Sequence, residues 1–259
     1  QQTADMQVVE ALIKALQSHG LKVYAFFAYS LREPEAQEEL IKKKEEEPPD
    51  AILTMQSFSI GRMDERVSFL ETLNCPVIQV ATSTEDLNAW MNNPRGLSPS
   101  NVAMSVALPE TDGRIFSTVV GFKQEQGVDS DLQFSTKYLV PEKKQISHVA
   151  ELTANWVRLR KIDNSKKRVA IILANYPNKD SRLGNGVGLD TPASVLLFLE
   201  ELKKRAYLID SKGSTGKIPK NGDDLIRILQ SGITNDEEMN YGKTPDQGID
   251  SSRLLEMIE

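Results

Sequence analysis

Apolar residues recur at helical spacing from Gln7 to Ser18, where Val8, Leu12 and Leu16 form one stripe that stops at His19-Gly20. That spacing predicts an amphipathic helix. From Leu21 to Tyr29 the pattern changes to a dense β-rich run, which is expected as a strand. A charged helix over Glu35 to Glu47 follows, its Lys42-to-Glu47 end reading as a solvated face. Pro48-Pro49 stops it, because proline disfavours helical geometry in the residue before it. The same alternation continues with a strand over Ala51 to Gln56, a helix over Met63 to Leu73 and a strand over Pro76 to Ala81. Thr84-Glu85-Asp86-Leu87 opens another helix with a polar cap and early carboxylates. Asn101 to Leu108 fits helix or strand. Arg114 to Phe122 reads as a strand after the Asp112-Gly113 turn signal, and polar Gln124 to Leu132 as a loop.

A second unit begins with a helix near Ser147, on which His148, Glu151, Leu152, Asn155, Trp156, Leu159 and Ile162 follow helical spacing. Its polar end feeds Val169-Ala170-Ile171-Ile172-Leu173-Ala174, an almost continuous apolar run of the kind buried on both faces of a parallel sheet. A long loop leads to a helix over Thr191 to Arg205, with Val195, Leu199 and Leu202 as its buried stripe. Leu208-Ile209 starts a further strand, and Gly222 to Leu229 a further helix. Short β-rich runs alternating with helices predict an α/β fold of two Rossmann-like parallel-sheet units, residues 1–140 and 141–259.

Composition narrows the function classes. The 259 residues carry a formal net charge of -6, so there is no basic stripe with interleaved aromatics, and nucleic acid is not an expected partner. No run approaches the ~20 apolar residues of a membrane span. A single cysteine, Cys75, rules out a disulfide or cysteine-rich metal site within one chain and fits a reducing cytoplasm. The chain opens at Gln1 and stops inside an amphipathic pattern, Ser252 to Ile258, which reads as a fragment of a larger multidomain subunit.

Candidate chemistry concentrates in the loop between the Val169 run and the Thr191 helix. In open α/β sheets, ligands bind beyond the carboxyl ends of strands. This loop brings Asn175, Tyr176, Asn178, Lys179, Arg182, Asn185 and Asp190 to that position, with glycines at 184, 186 and 188. Thr191 as helix cap and Pro192 in the first turn give its end a structural role. The glycine spacing lacks the dinucleotide register. Gly213-Ser214-Thr215-Gly216-Lys217 is no P-loop, since Ile218 stands where a hydroxyl should reach magnesium; it reads as a flexible loop. His148 and Glu151 make an incomplete metal pair, and Asp223 and Asp224 suit helix capping. No nucleophile with a base and an orienter emerges, so no catalytic or metal-binding residue is assigned.

The run Val169 to Asn175, then Tyr176-Pro177-Asn178, Arg182 and Gly184-Asn185-Gly186-Val187-Gly188-Leu189-Asp190-Thr191-Pro192-Ala193-Ser194, resembles the CobN and magnesium-chelatase large (H) subunit family. The likeness is to its CobN branch, because the magnesium branch places a Gly-Thr-Ala-Ala-Tyr-Leu type sequence there. Arg95-Gly96-Leu97-Ser98-Pro99, Val106 to Glu110 and Asp112 to Ile115 are similar to the segment preceding this motif. The resemblance implies a tetrapyrrole-binding subunit that takes part in ATP-dependent insertion of Co2+ into a corrin ring, hydrogenobyrinic acid a,c-diamide, in cobalamin biosynthesis. Separate AAA+ subunits would hydrolyse the ATP, and this stretch alone would be inactive. Asn175, Tyr176, Arg182, Asn185 and Gly186 would line a cleft facing the macrocycle. Two other readings stay open: a magnesium-chelatase H-type subunit acting on protoporphyrin IX, and a non-catalytic scaffold or small-ligand-binding module.

Overall fold

The computed structural model describes residues 6–61, 68–129, 134–209, 218–244 and 250–258. Its contacts divide the chain into two compact units, Gln1–Lys161 and Ile162–Glu259.

The first unit is built around four strands, β1 (Ile52–Thr54), β2 (Val77–Ser83), β3 (Ile115–Asp129) and β4 (Phe134–Pro141), in the order β1-β2-β3-β4. β1 and β2 pair in parallel with Ile52 opposite Val77, and β2 and β3 in parallel with Ile78 opposite Ile115. β3 and β4 pair antiparallel, Gly121 facing Pro141. Side chains alternate along β2, so its two faces feed different clusters. Ile78 and Val80 join Val120 beneath two helices, α1 (Gln7–Ser18) and α7 (Lys143–Lys161), where Val8, Leu12, Ile146 and Val149 complete the main core. Val77 packs with Leu31, Ile60, Leu70 and Leu73. Ala81, with Val119 and Phe122, meets Trp90 and Leu97.

Helix α1 ends as its sequence predicts, with Gly20 at φ +75°. Helix α2 (Pro34–Glu46) precedes β1. Of the helix expected over Met63 to Leu73, α3 (Phe69–Thr72) is present, capped by Ser68; residues 62–67 lie outside the described ones. Asp86 caps α4 (Leu87–Met91), its carboxylate accepting from the Ala89 N–H. The ambiguous 101–108 stretch is helical throughout: α5 (Pro99–Val102) passes through a π-turn over Ala103–Ala107 into α6 (Leu108–Glu110).

Three expectations for this unit need correction. The sheet is mixed rather than parallel, because β3 and β4 form a hairpin, and a hairpin can only pair antiparallel. The loop expected over Gln124 to Leu132 is β3 as far as Asp129, since pairing with β4 satisfies the backbone of this polar segment. Leu21 to Tyr29, expected as a strand, has no regular secondary structure and joins no ladder. The Gln56 side chain takes bonds that a neighbouring strand would offer it, with Nε2 donating to the Ala28 carbonyl and Oε1 accepting from the Leu31 N–H. Helix α7, expected to open the second unit after 140/141, packs on α1 and the sheet of the first.

The second unit holds α8 (Thr191–Lys204), α9 (Gly222–Ser231) and α10 (Ser251–Ile258). No strand occurs among its described residues, so the expectation of two sheets is corrected to one. Val169 to Ala174 and Leu208-Ile209 have no regular secondary structure and join no strand ladder. Ile172 is 93% exposed, the opposite of burial on both faces. A strand pattern states that a segment suits a ladder; without partner strands its apolar side chains stay in water. Val195, Leu199 and Leu202 of α8 are only half-buried for the same reason.

Candidate functional site

Residues 175–190 leave the Val169 segment and return to α8 as a compact, self-braced loop. Asn175 forms an isolated antiparallel bridge with Leu183, and the Gly184 N–H donates to the Ala174 carbonyl at 2.8 Å. Gly184 sits at φ +69°, a conformation that glycine adopts without a Cβ penalty. The Tyr176–Pro177 peptide bond is cis. A 3-10 turn over Asp180–Arg182 follows, then a second small bridge between Gly186 and Leu189. A Cβ at Gly186 would lie 2.9 Å from the Thr191 hydroxyl, so only glycine fits this close approach. The cap of α8 is Asp190, whose carboxylate accepts the Ala193 N–H at 3.0 Å, rather than Thr191, which lies inside the first turn beside Pro192. The cap of α9 is likewise Asn221, accepting from the Asp224 N–H; Asp224 pairs instead with Arg227.

The five residues expected to line a cleft are all on this loop, but the loop is exposed. Tyr176 is 83% exposed, and Arg182 and Asn185 also face solvent. The Arg182 guanidinium makes no hydrogen bond or ion pair among the described residues, so its donors are available to an anion. Gly186 is half-buried. Asn175 differs from the others: both carboxamide atoms, Oδ1 and Nδ2, are buried with no hydrogen-bond partner. Leaving such a group unsatisfied costs roughly 1–3 kcal/mol.

Beneath the loop lies a polar cluster that the sequence did not single out. Asp180 and Asp236 are both buried. The Asp180 N–H donates to Asp236 Oδ2 at 3.0 Å, the Thr234 hydroxyl donates to Asp180 Oδ1 at 2.6 Å, and Gln230 Nε2 donates to the Asp180 carbonyl at 3.1 Å. Asn240 braces Thr234 from both sides, with Oδ1 accepting its N–H and Nδ2 donating to its carbonyl. Lys179 reaches Glu238 at 2.8 Å and Asp236 at 3.6 Å. The Asp180 N–H, reinforced by Lys179 against the opposing effect of burial, holds the Asp236 carboxyl below the usual carboxylate range. Glu238 first, and Asp236 after it, raise the Lys179 ammonium. Fifty-six residues separate Asp180 from Asp236, too far for any sequence period to link them.

The first unit has two features of its own. One is a surface cavity of about 570 Å3 between the start of α4 and the β3–β4 hairpin, reached by Glu85, Phe122, Lys123 and Glu142. The other is a fully buried ion pair, Asp112–Arg114, with Arg114 Nη2 2.7 Å from Asp112 Oδ2. His148 and Glu151 are exposed on α7, and no group of three His, Cys, Asp or Glu side chains among the described residues could hold a metal ion. The Gly213-to-Lys217 stretch lies outside the described residues. No helix among them is long and apolar enough to cross a membrane.

A family model described as CobN/Magnesium Chelatase matches residues 1–257. The chain is 36% identical over 236 residues to the aerobic cobaltochelatase subunit CobN of a Sinorhizobium species, covering 90% of this chain and 18% of that protein. Against the magnesium-chelatase H subunit of Chlorobaculum parvum it is 24% identical over 233 residues, 85% of this chain and 17% of the relative. The catalytic subunit of cobaltochelatase from Mycobacterium tuberculosis superposes with a TM-score of 0.69 at 31% identity, over 88% of this chain and 19% of that one. The chain thus spans under a fifth of the length of each of these proteins.

Proposed function

The chain belongs to the CobN/magnesium-chelatase family, and from that premise we propose that it is part of the large, tetrapyrrole-binding subunit of an ATP-dependent cobalt chelatase. The observation that carries the cobalt assignment is the identity of 36% to a CobN over nine-tenths of the chain, against 24% to a magnesium-chelatase H subunit. The proposed reaction places Co2+, as substrate, in the corrin ring of hydrogenobyrinic acid a,c-diamide, within cobalamin biosynthesis in the cytoplasm. ATP hydrolysis belongs to AAA+ partner subunits, and the remaining domains of the large subunit complete the site.

This chain's own contribution is the 175–190 loop. A corrin substrate presents carboxylates and amides around a flat, largely apolar ring. The unengaged Arg182 guanidinium can pair with a carboxylate bidentately, and the Asn185 carboxamide can meet an amide as both donor and acceptor. The exposed Tyr176 ring offers an apolar face, and Gly186 lets the backbone approach closely. The buried Asn175 amide, without a partner among the described residues, supports the same reading, since it has donors and an acceptor that a ligand could satisfy.

Titration of hydrogenobyrinic acid a,c-diamide onto the intact subunit, followed by its absorbance, tests this. Arg182→Ala is expected to weaken binding about tenfold, the worth of one charge-assisted hydrogen bond. Unchanged affinity in that variant would refute the role of Arg182. The exposure of the loop favours a second reading, in which it docks another domain of the same subunit. In that case loop variants would lose assembly and keep substrate affinity.

A further inference from the structure

We infer that Asp180, Thr234 and Asp236 form a clamp that positions the 175–190 loop for its ligand, with Asp236 acting as an acceptor for backbone rather than as a charge. The inference rests on the proposed substrate role of that loop. None of the three residues needs to touch substrate, so they are positioning residues.

The geometry is one of convergence on a single turn. Three hydrogen bonds tie Asp180 to the distant 230–243 segment: its N–H donates to Asp236, its carboxylate accepts from the Thr234 hydroxyl and its carbonyl accepts from Gln230, while Lys243 Nζ stands 4.0 Å from its other carboxylate oxygen. The next contact along the chain, Lys179, is held by Glu238 and Asp236. Two residues beyond Asp180 stands Arg182, exposed and without a partner among the described residues. The clamp therefore fixes the backbone on one side of Arg182, and the Gly184-to-Ala174 bond fixes it on the other. An exposed arginine on a loop would ordinarily spread over many rotamers and backbone positions; pinning the backbone removes part of the ordering entropy that binding must otherwise overcome. The clamp also sorts the loop's two cations. Lys179 is engaged by Glu238 at 2.8 Å, which leaves Arg182 as the loop cation with no carboxylate partner among the described residues.

Asp236→Asn separates the acceptor role from the charge. It keeps an oxygen in place of Oδ2 for the Asp180 N–H, whereas Asp236→Ala leaves that buried N–H without a partner. In the intact large subunit, Asp236→Asn should bind hydrogenobyrinic acid a,c-diamide within about threefold of wild type, and Asp236→Ala about tenfold more weakly. In the reconstituted chelatase the loss should appear in KM and leave kcat unchanged. Hydrogen exchange should speed up in peptides covering 176–186 and in the partner segment 230–243 and stay unchanged elsewhere, a local signature that general destabilisation would not give. Thr234→Val, which removes one hydroxyl at nearly constant volume, should loosen the same peptides and weaken binding in the same direction, and it serves where Asp236→Ala does not fold. Wild-type affinity in both Asp236→Ala and Thr234→Val, with Arg182→Ala impaired, would overturn the clamp and leave the substrate role of the loop standing. Wild-type affinity in Arg182→Ala, with exchange at 176–186 accelerated by the clamp variants, would leave the clamp's geometry correct and remove its purpose. An Asp236→Asn variant as impaired as Asp236→Ala would show that charge, not backbone acceptance, is what Asp236 supplies.

Discussion

Removing Asp112 should destabilise the first unit more than any other single side-chain truncation on its surface turns, although the residue lies in an Asp-Gly turn where exposure is the usual rule. The carboxylate is 1% exposed and the Arg114 side chain 0%. Asp112 accepts from the Ser59 hydroxyl at 2.7 Å and from the N–H groups of Ile60 and Gly61 at 2.7 and 2.9 Å, besides the guanidinium. Arg114 in turn donates to the Gln56 and Phe58 carbonyls and to Gln79 Oε1. Asp112→Ala leaves that guanidinium charged, dry and short of its counter-ion. Breaking a buried pair in this way costs about 3–5 kcal/mol, a large share of the roughly 5–15 kcal/mol that keeps a domain folded. Asp112→Asn keeps the shape and should cost about 1.5–3 kcal/mol, the worth of hydrogen bonds to a charged group. Asp112→Ala combined with Arg114→Met removes the stranded charge and should recover at least about 1 kcal/mol of the loss. Urea unfolding followed by tryptophan fluorescence is the assay, because both tryptophans, Trp90 and Trp156, belong to the first unit. pH gives an independent check. Burial is the largest influence on the Asp112 carboxyl and pushes it up, but bonds from Ser59, Ile60, Gly61 and Arg114 together outweigh it and hold the group below its ordinary value. A carboxyl held low stabilises the fold above its unfolded value of about 3.9 and loses that contribution as pH falls through the folded value. Wild type should therefore fall more steeply than Asp112→Asn below about pH 4. A double variant no more stable than Asp112→Ala would refute the reasoning.

Gly121→Ala would place a Cβ 2.7 Å from Val8 Cγ2, pushing α1 from the sheet; the same urea assay should show a loss of about 1–3 kcal/mol. Asp190→Ala removes the cap of α8 and should cost about 1 kcal/mol, read as reduced amide protection in the first turn of that helix.

Local signals were legible where one segment decides its own structure. The stripe Val8, Leu12 and Leu16 gave α1 both its limits and its buried face, and the expected strand over Pro76 to Ala81 is the centre of β2. Caps were legible as a class and misplaced by one or two residues, because Asp190 and Thr191, or Asn221 and Asp223, are chemically equivalent candidates. Whatever depends on a distant partner was not legible. Asp112 was read for its turn, correctly, since Gly113 has φ +77°, but its carboxylate is used by residues about fifty positions earlier. Its one local sign is Arg114, a charge set at the threshold of an apolar strand.

The Val169 run carries the same argument furthest. It is the most strand-like sequence of the chain, yet Val169, Ile171 and Ile172 stand exposed and unpaired. Periodicity measures what a segment would gain from a ladder, and the ladder itself is a property of its neighbours. The loop that follows does not share this dependence. Its bonds close on Ala174, on its own glycines and on the 230–243 segment, all within the second unit. A loop braced in this way keeps its shape without a completed sheet. The 175–190 loop is thus folded by bonds inside its own unit, whereas the run leading into it, expected as a buried strand, stands exposed.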